Sequence, residues 1–409
     1  MPAFVLILWP LYIIVQVVVA GYLLQPFFLL ILYWIGKRKG LEPGLTPRVT
    51  STRQHQFGII IAVHGETDFI PPILDSLLRQ TYPFFNVYVV ADACNIDHLH
   101  YTDPRIHLLA PVFPLNSQIA SLEYGFRHFQ DSDEICVIFD PDNLVHPVFL
   151  EVLNIWYNAG YLAVQGNLKA KNQEGLYSRI DGLSMQLANF VDRTSRSTFG
   201  LSVNIWGCGI SVHRKIYEKI VYDEKSFTGG FDKHMQAELA LKVPRIGFAA
   251  DAIVYDEKVD DGHNFEQQRI RWISAYFKFL GKAFQVLWTG LKTRNINRTI
   301  FGFNLIRPPW FLLLFTGLMI FISGFFINQL IPEVWLLVLA IFTLSFLTII
   351  SRNTHHSTLL KTIGFIPVAI FRQIRALFKS GVGRKTLLKT RHSKVMYIEE
   401  ILANSPSEP

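Results

Sequence analysis

Two aspartates, Asp140 and Asp142, sit two residues apart just after an apolar run at residues 134–139. Carboxylates at i and i+2 after a strand can point to the same side. With a phosphate-bearing substrate, such a pair suits a hard, partly hydrated cation, Mg2+ or Mn2+. An Asp-x-Asp pair is common in any sequence, so its weight comes from what accompanies it. Far downstream lies Gln267-Gln268-Arg269-Ile270-Arg271-Trp272. Arg presents a fork suited to phosphate, and the Trp face can stack on a sugar ring. A membrane-surface helix with basic and aromatic anchors would use the same residue types. Asp232, in Gly229-Gly230-Phe231-Asp232, precedes a helical run to Leu241, where a plain helix N-cap is the alternative to acid–base work.

These residues need elements to hold them. Residues 57–63, 86–91 and 134–139 read as strands, and 70–80 and 117–129 as helices. Strands alternating with helices predict an α/β domain with a parallel sheet, whose ligands bind beyond the carboxyl ends of the strands. The first strand ends on His64-Gly65-Glu66, the second on Asp92 and the third on Asp140-Pro141-Asp142-Asn143. One Asp at a strand end is ordinary turn chemistry. Three neighbouring strands that deliver carboxylates to one edge exceed what turns require.

The rest of the chain is unlike a soluble domain. Of 409 residues, 50% are hydrophobic and 17% charged, against roughly 25% charged in ordinary soluble domains. Residues 1–36 contain no Asp, Glu, Lys or Arg, and residues 308–351 contain Glu333 alone. The stretches 308–327 and 334–351 each approach the roughly 20 apolar residues that cross a bilayer, and form a helical hairpin across the short connection 328–333. The N-terminal run is longer than one crossing and is read as one tilted helix, two short helices broken near Gly21 and Pro26 being the alternative. Lys37, Arg38 and Lys39, then Arg294, Arg298 and Arg307, then Arg352 flank these runs. The positive-inside rule places all three flanks in the cytoplasm. Two further stretches, Ile270 to Leu287 and Ile363 to Phe378, are amphipathic and fit helices in the membrane interface, with soluble core packing as the alternative for each. The basic tail carrying Lys379, Arg384, Lys385, Lys389 and Arg391 is kept on the cytoplasmic side, where it can touch anionic lipid. Three scattered cysteines, Cys94, Cys136 and Cys208, make neither a disulfide framework nor a zinc site. The net charge of +7 lies largely beside the apolar runs, so nucleic acid is not an expected partner.

Taken in order, Ile61-Ala62-Val63-His64-Gly65-Glu66, Gln80-Thr81-Tyr82-Pro83, Val89-Val90-Ala91-Asp92, Phe139-Asp140-Pro141-Asp142-Asn143, Trp206-Gly207-Cys208-Gly209, Asp232 and Gln268-Arg269-Ile270-Arg271-Trp272 resemble the membrane-integrated family 2 glycosyltransferases, the group of hyaluronan, chitin and cellulose synthases. The resemblance covers residues 55–275 and, through topology, the flanking helices. It implies a GT-A fold, a Rossmann-like mixed sheet, and a nucleotide-sugar donor, usually a UDP-sugar. It implies donor contacts from His64, Glu66, Asp92, Asp140, Gln268, Arg269 and Arg271, and acceptor contacts from Trp206, Gly207 and Trp272. Asp142 with Asp140 would hold Mg2+ or Mn2+, and Asp232 would be the general base. Two positions depart from the pattern. Gly230-Phe231-Asp232 stands where relatives usually read Thr-Glu-Asp, and Asn116-Ser117-Gln118 stands where a Lys is common.

The resulting expectation is an integral protein of the cell (inner) membrane with a cytoplasmic catalytic domain, which adds sugar to a growing polysaccharide. The alternative is transfer of one sugar to a lipid acceptor. The expected division is a transmembrane helix at 1–36, the glycosyltransferase domain at 40–265, the Gln-x-x-Arg-Trp segment with interfacial helices at 266–307, the transmembrane hairpin at 308–351, an interfacial helix at 359–379 and a cytoplasmic tail at 380–409. Membrane lipid is an expected partner, and a second copy of the chain or an accessory export subunit is left open.

Overall fold

The computed structural model describes residues 3–41, 44, 46, 47, 49–51, 53–222, 229–351, 362–381 and 394–404. Arg352 and the basic positions from Arg384 to Arg391 lie outside the described residues.

Among the described residues, an open, mixed sheet of eight strands forms the body. Its strands are β1 (Phe57–His64), β2 (Phe85–Asp92), β3 (Ile106–Leu109), β4 (Ile135–Phe139), β5 (Leu144–Val145), β6 (Ala163–Ala170), β7 (Ile210–His213) and β8 (Gly247–Asp256), in the order β3-β2-β1-β4-β7-β6-β8-β5. The three strands read from the sequence are present, each within a residue or two of the expected ends. The sheet is mixed, as the family resemblance implies, and not wholly parallel, as strand–helix alternation alone predicts. β3, β2, β1 and β4 are parallel, but β7 runs antiparallel to both β4 and β6, and β5 antiparallel to β8. Because β8 is again parallel to β6, the carboxyl ends of β1, β2, β4, β6 and β8 and the start of β7 share one edge.

Alternating side chains leave the sheet on opposite faces. Ile59, Ile61, Val87, Val89 and Val137 pack under α2 (Ile70–Leu78) and α4 (Phe149–Asn158), while Ile60, Val90, Cys136 and Ile138 pack under α3 (Gln118–Arg127). Burial of each such side chain contributes roughly 1.5–3 kcal/mol. Ser117 caps α3, its hydroxyl accepting from Ala120 N. Gly125 on α3 faces Ile60 and Val90, where a Cβ would come within 2.9 Å.

Among the described residues, three helices are long and apolar enough to cross a membrane by length and composition. These are α1 (Ala3–Arg38), which is continuous through Pro10 and Pro26, α11 (Trp310–Ile327) and α12 (Leu330–Ile350). They pack directly on one another. Trp335 is buried against Leu23 and Gly317, and its indole N–H donates to Gln16 Oε1 at 2.9 Å. The outward faces carry Ile14, Val17, Phe326 and Leu336, all exposed, as a lipid-facing surface requires.

The sheet and the three helices meet through α5 (Leu176–Asn189), a π-helical turn (Phe190–Thr194) and the one-turn α6 (Ser195–Ser197). A second one-turn helix, α7 (Arg214–Tyr217), follows β7, and α8 (Phe231–Lys242) precedes β8. α9 (Gly262–Lys292) and α10 (Ile296–Ile306) then lead into α11. At the junction Asp192, buried in the π turn, accepts from Arg307 Nη2 at 2.9 Å and Asn304 Nδ2 at 3.0 Å. Arg307 also donates to Gln25 Oε1 of α1 at 3.2 Å. Arg307 is therefore not a membrane-surface charge of the kind the positive-inside reading assumed. Arg298 likewise turns inward, donating to the Ala240 and Leu241 carbonyls at the end of α8.

The amphipathic stretches also differ in detail from expectation. On α9, Ile270 and Ile273 pack with Phe311 and Ala376, but further along Phe279, Ala283 and Val286 are buried while Phe284 is exposed. Its second half packs on α8 and α10, so the core-packing reading holds there. α13 (Ile366–Lys379) lies against α9, with Lys379 2.7 Å from Glu266, and leaves Phe371 and Phe378 exposed. A short α14 (Ile398–Asn404) packs its Ile398 beside Leu144 and Tyr255.

Asp192→Ala is expected to lower stability by about 3–5 kcal/mol, because Arg307 is left buried without its carboxylate. Thermal unfolding of the purified protein in detergent measures this. Asp192→Asn, which keeps one acceptor, should cost less.

Candidate active site at the sheet edge

A cavity of about 1080 Å3 opens at this shared strand edge and continues between the apolar helices. Every site residue expected from the sequence lines it: His64, Glu66, Asp92, Asp140, Asp142, Trp206, Gly207, Asp232, Gln268, Arg269, Arg271 and Trp272. Their arrangement follows from the elements. His64 and Asp92 are register partners at the ends of β1 and β2, and His64 Nδ1 lies 2.9 Å from Asp92 Oδ2. Asp92 is buried and also accepts from the backbone N–H groups of Leu115 (2.7 Å) and Asn116 (2.8 Å). It thereby pins the loop before α3, in which Asn116 adopts φ +50.

After β4 the chain turns at once. Asn143, fully buried, accepts from Asp140 N at 3.0 Å, and its own N–H donates to Asp140 O at 3.1 Å. That turn aims both aspartates into the cavity, Asp142 buried and Asp140 half-buried. Gln118, in the Asn116-Ser117-Gln118 segment that stands where a Lys is common, donates to Asp140 Oδ1 at 3.0 Å.

Asp232 stands in the first turn of α8, one residue inside it, so it is not the N-cap. Gly230 is the N-cap, with φ +80, and Gly229 has φ +104. A Cβ on Gly230 would lie 2.7 Å from the Ala275 methyl of α9. Glycine at this point both allows the left-handed turn and lets α8 approach α9. Phe231 is buried beside Gly207, so where relatives carry a second acid this chain has an apolar anchor. Arg271 on α9 faces the acids. Burial pulls its guanidinium pKa below the ordinary value, and the charges of Asp140, Asp232 and Asp142 oppose that pull.

Arg269 is placed otherwise than expected. It is buried, paired with Asp181 of α5, and stacked over Trp272 at 4.1 Å from the ring centroid. Burial would raise the Asp181 pKa, but Arg269 and Lys258 outweigh it and hold the carboxyl below its usual range. The charge of Arg269 is thus balanced inside the protein, and its stacking sets the attitude of the half-exposed Trp272. Trp206 is held comparably. Arg193 of the π turn lies 3.5 Å from its ring centroid, and buried Gln165 accepts from Trp206 N while donating to Cys208 O. Burial and neighbouring carboxylates push the Cys208 thiol far up, which leaves it a packing residue.

Several lining or bracing residues were not read from the sequence. Lys171 donates to Asp142 O at 3.2 Å and lies 3.5 Å from Glu257, and Lys258 donates to Asp256 Oδ2 at 2.5 Å. They stand at or just past the ends of β6 and β8, so recognition of those two strands would have exposed them. Asp181 and Arg193 lie on helices with no motif signal.

Among the described residues no three His, Cys, Asp or Glu side chains converge on one point, so these residues offer no closed metal cage. An open carboxylate pair is, however, the donor set that Mg2+ or Mn2+ uses when phosphate and water supply the other oxygens. Asp140 and Asp142 fit that description. Acids that could hold a cation or a proton, a facing guanidinium and two braced Trp faces suit a phosphorylated, ring-bearing substrate.

Comparisons with known proteins agree with this chemistry. The family described as Glycosyltransferase like family 2 matches residues 55–275. A hyaluronan synthase from Streptococcus pyogenes is 24% identical over 331 residues, spanning 73% of this chain and 72% of the relative. A mannosyltransferase from Pyrobaculum calidifontis, solved in complex with GDP-Man and Mn2+, superposes with a TM-score of 0.56 at 16% identity and covers 90% of this chain and 98% of that one, a likeness of fold. With the family match spanning more than half of its length, the chain belongs to the family 2-like glycosyltransferases.

Proposed function

We propose that the chain transfers a sugar from a nucleotide-sugar, a UDP-sugar by the family resemblance, to an acceptor hydroxyl held at the cytoplasmic face of the cell membrane, with inversion at the anomeric carbon. The observation that carries this reading is the meeting of Asp140, Asp142, Asp232 and Arg271 in one cavity at the strand edge. The basic flank Lys37, Arg38 and Lys39 after the first apolar helix supports the cytoplasmic orientation.

In this reading the His64–Asp92 pair and the loop pinned at Leu115 and Asn116 cradle the nucleoside. Asp140 and Asp142 would hold Mg2+ or Mn2+ against the diphosphate, and when bound the cation offsets the charge of the leaving group. The acceptor oxygen attacks the anomeric carbon as the bond to the diphosphate breaks. The bonding pair leaves with the diphosphate, and the hydroxyl proton passes to the Asp232 carboxylate. Arg271 meets the negative charge that develops on the diphosphate. Trp206 and Trp272 stack on the sugar rings, and Gly207 leaves room beside them. Arg269 acts through Trp272 as a positioning residue. For the acceptor, the likeness to a hyaluronan synthase supports a growing polysaccharide, and the cavity's apolar inner wall supports a lipid.

Asp232→Asn is expected to lower nucleotide release with acceptor present by about 10²–10⁴-fold, the range of general-base catalysis, while UDP affinity measured by calorimetry is retained. An unchanged rate removes Asp232 from the mechanism. Chelation with EDTA should abolish turnover and added Mn2+ restore it. Asp142→Asn should raise the Mn2+ concentration needed by more than about tenfold, on the scale of lost metal-site support.

A further inference from the structure

The cavity has two chemically distinct halves. Beyond Arg307 the wall is built from Trp310 and Leu314 of α11, Phe342 and Phe346 of α12, and Ile366 and Ile370 of α13. Among them the Trp310 indole N–H is buried without a hydrogen-bond partner, while the hydroxyls and the guanidinium are already used. Thr343 Oγ1 donates to Leu339 O at 2.8 Å, and Ser184 Oγ donates to Ile180 O at 3.0 Å, each within its own helix. Arg307 is committed to Asp192, Gln25 and Asn304. Gln373 is the remaining side-chain amide on this wall.

A sugar chain presents hydroxyls around every ring, and each one buried against hydrocarbon without a partner is costly. This half of the cavity therefore disfavours a glycan and favours an alkyl or isoprenoid chain. Its position agrees. α1, α11 and α12 close directly on one another around Trp335 and Leu23, whereas the cavity lies to one side, walled by α13. α13 itself is amphipathic, with Phe371 and Phe378 exposed and with Arg375 and Lys379 beside Glu266. An apolar pocket walled by membrane helices on one side and an interfacial helix on the other is one that a lipid can enter from the bilayer.

We infer that the acceptor is a membrane lipid, whose hydrocarbon tail occupies the α11/α12/α13 half of the cavity and whose hydroxyl-bearing head lies at the Trp206, Asp232 and Trp272 end. This rests on the transfer reading above and deepens it by naming the acceptor class. The continuity of one cavity from Asp232 to Ile370 carries it.

The test uses the full chain in phosphatidylcholine nanodiscs containing 1,2-dioleoylglycerol with a diazirine at the tail end. Illumination should label peptides of 310–327, 330–350 and 366–379. Leu314→Trp and Ile370→Trp, which fill the pocket from two different helices, should each lower that labelling by about tenfold, on the scale of discrimination in apolar pockets. Unfolding temperature shows in each variant that the fold is intact. In parallel, native membranes are given tritiated UDP-sugars. Label should partition into chloroform–methanol and fall about tenfold in both variants. UDP release with label confined to a water-soluble polymer, unaffected by either substitution, overturns the lipid acceptor and leaves sugar transfer standing. Absence of UDP release with every donor instead overturns the transfer reading, while diazirine labelling that is indifferent to both substitutions overturns the tail site on its own.

Discussion

The structure is organised around the crowding of acids at one sheet edge. Like charges that line one cavity repel one another, and Asp140, Asp142 and Asp232 are offset by a facing positive charge. Arg271 supplies it from α9. Much else in the fold serves that placement. Gly230 lets α8 close on α9, Asn143 fixes the turn that carries the two strand-end aspartates, and Glu266 ties α9 to the basic face of α13. In the proposed reaction this charge pattern receives a diphosphate with its counter-cation and leaves Asp232 for acid–base work.

A second constraint is that this charged edge abuts the helices that cross the bilayer. The junction is a closed polar network in which Asp192 is met by Arg307 and Asn304, and Arg307 reaches Gln25 on α1. By absorbing the basic residue at the head of α11, the network leaves the inner cavity wall apolar just beyond it. The same few residues thus separate the polar half of the cavity, where a sugar nucleotide fits, from the half that suits hydrocarbon. Arg193 on the adjoining turn braces Trp206, which links the junction to the proposed acceptor end of the site.

Much of this was legible in the sequence, for physical reasons. β1, β2 and β4 are buried on both faces and read as continuous apolar runs, and each ends on, or one residue before, a residue that lines the cavity. The spanning helices announce themselves by the absence of charge. What remained hidden depends on long-range pairing. β6, Ala163–Ala170, carries Gln165, Asn167 and Lys169 and lacks an apolar signature, so the cluster at Lys171, Glu257 and Lys258 could not be anticipated. The reversal of β7 leaves no local mark either. Arg269 and Arg271 look equivalent in the sequence. Asp181, some ninety positions away, engages one of them and leaves the other to the acids. Arg307 looked like a membrane-flank charge because its partner, Asp192, lies in a π turn that no short-range pattern specifies.

The proposed reaction is an in-line displacement, with a single general base on the acceptor side of the reacting carbon. The most direct measurement is the anomeric configuration of the newly formed linkage, read by proton NMR on product made from an α-linked UDP-sugar. A β-linked product agrees with attack by an oxygen deprotonated at Asp232. An α-linked product would require retention, by a double displacement or by front-face attack, and would contradict the assignment of these residues.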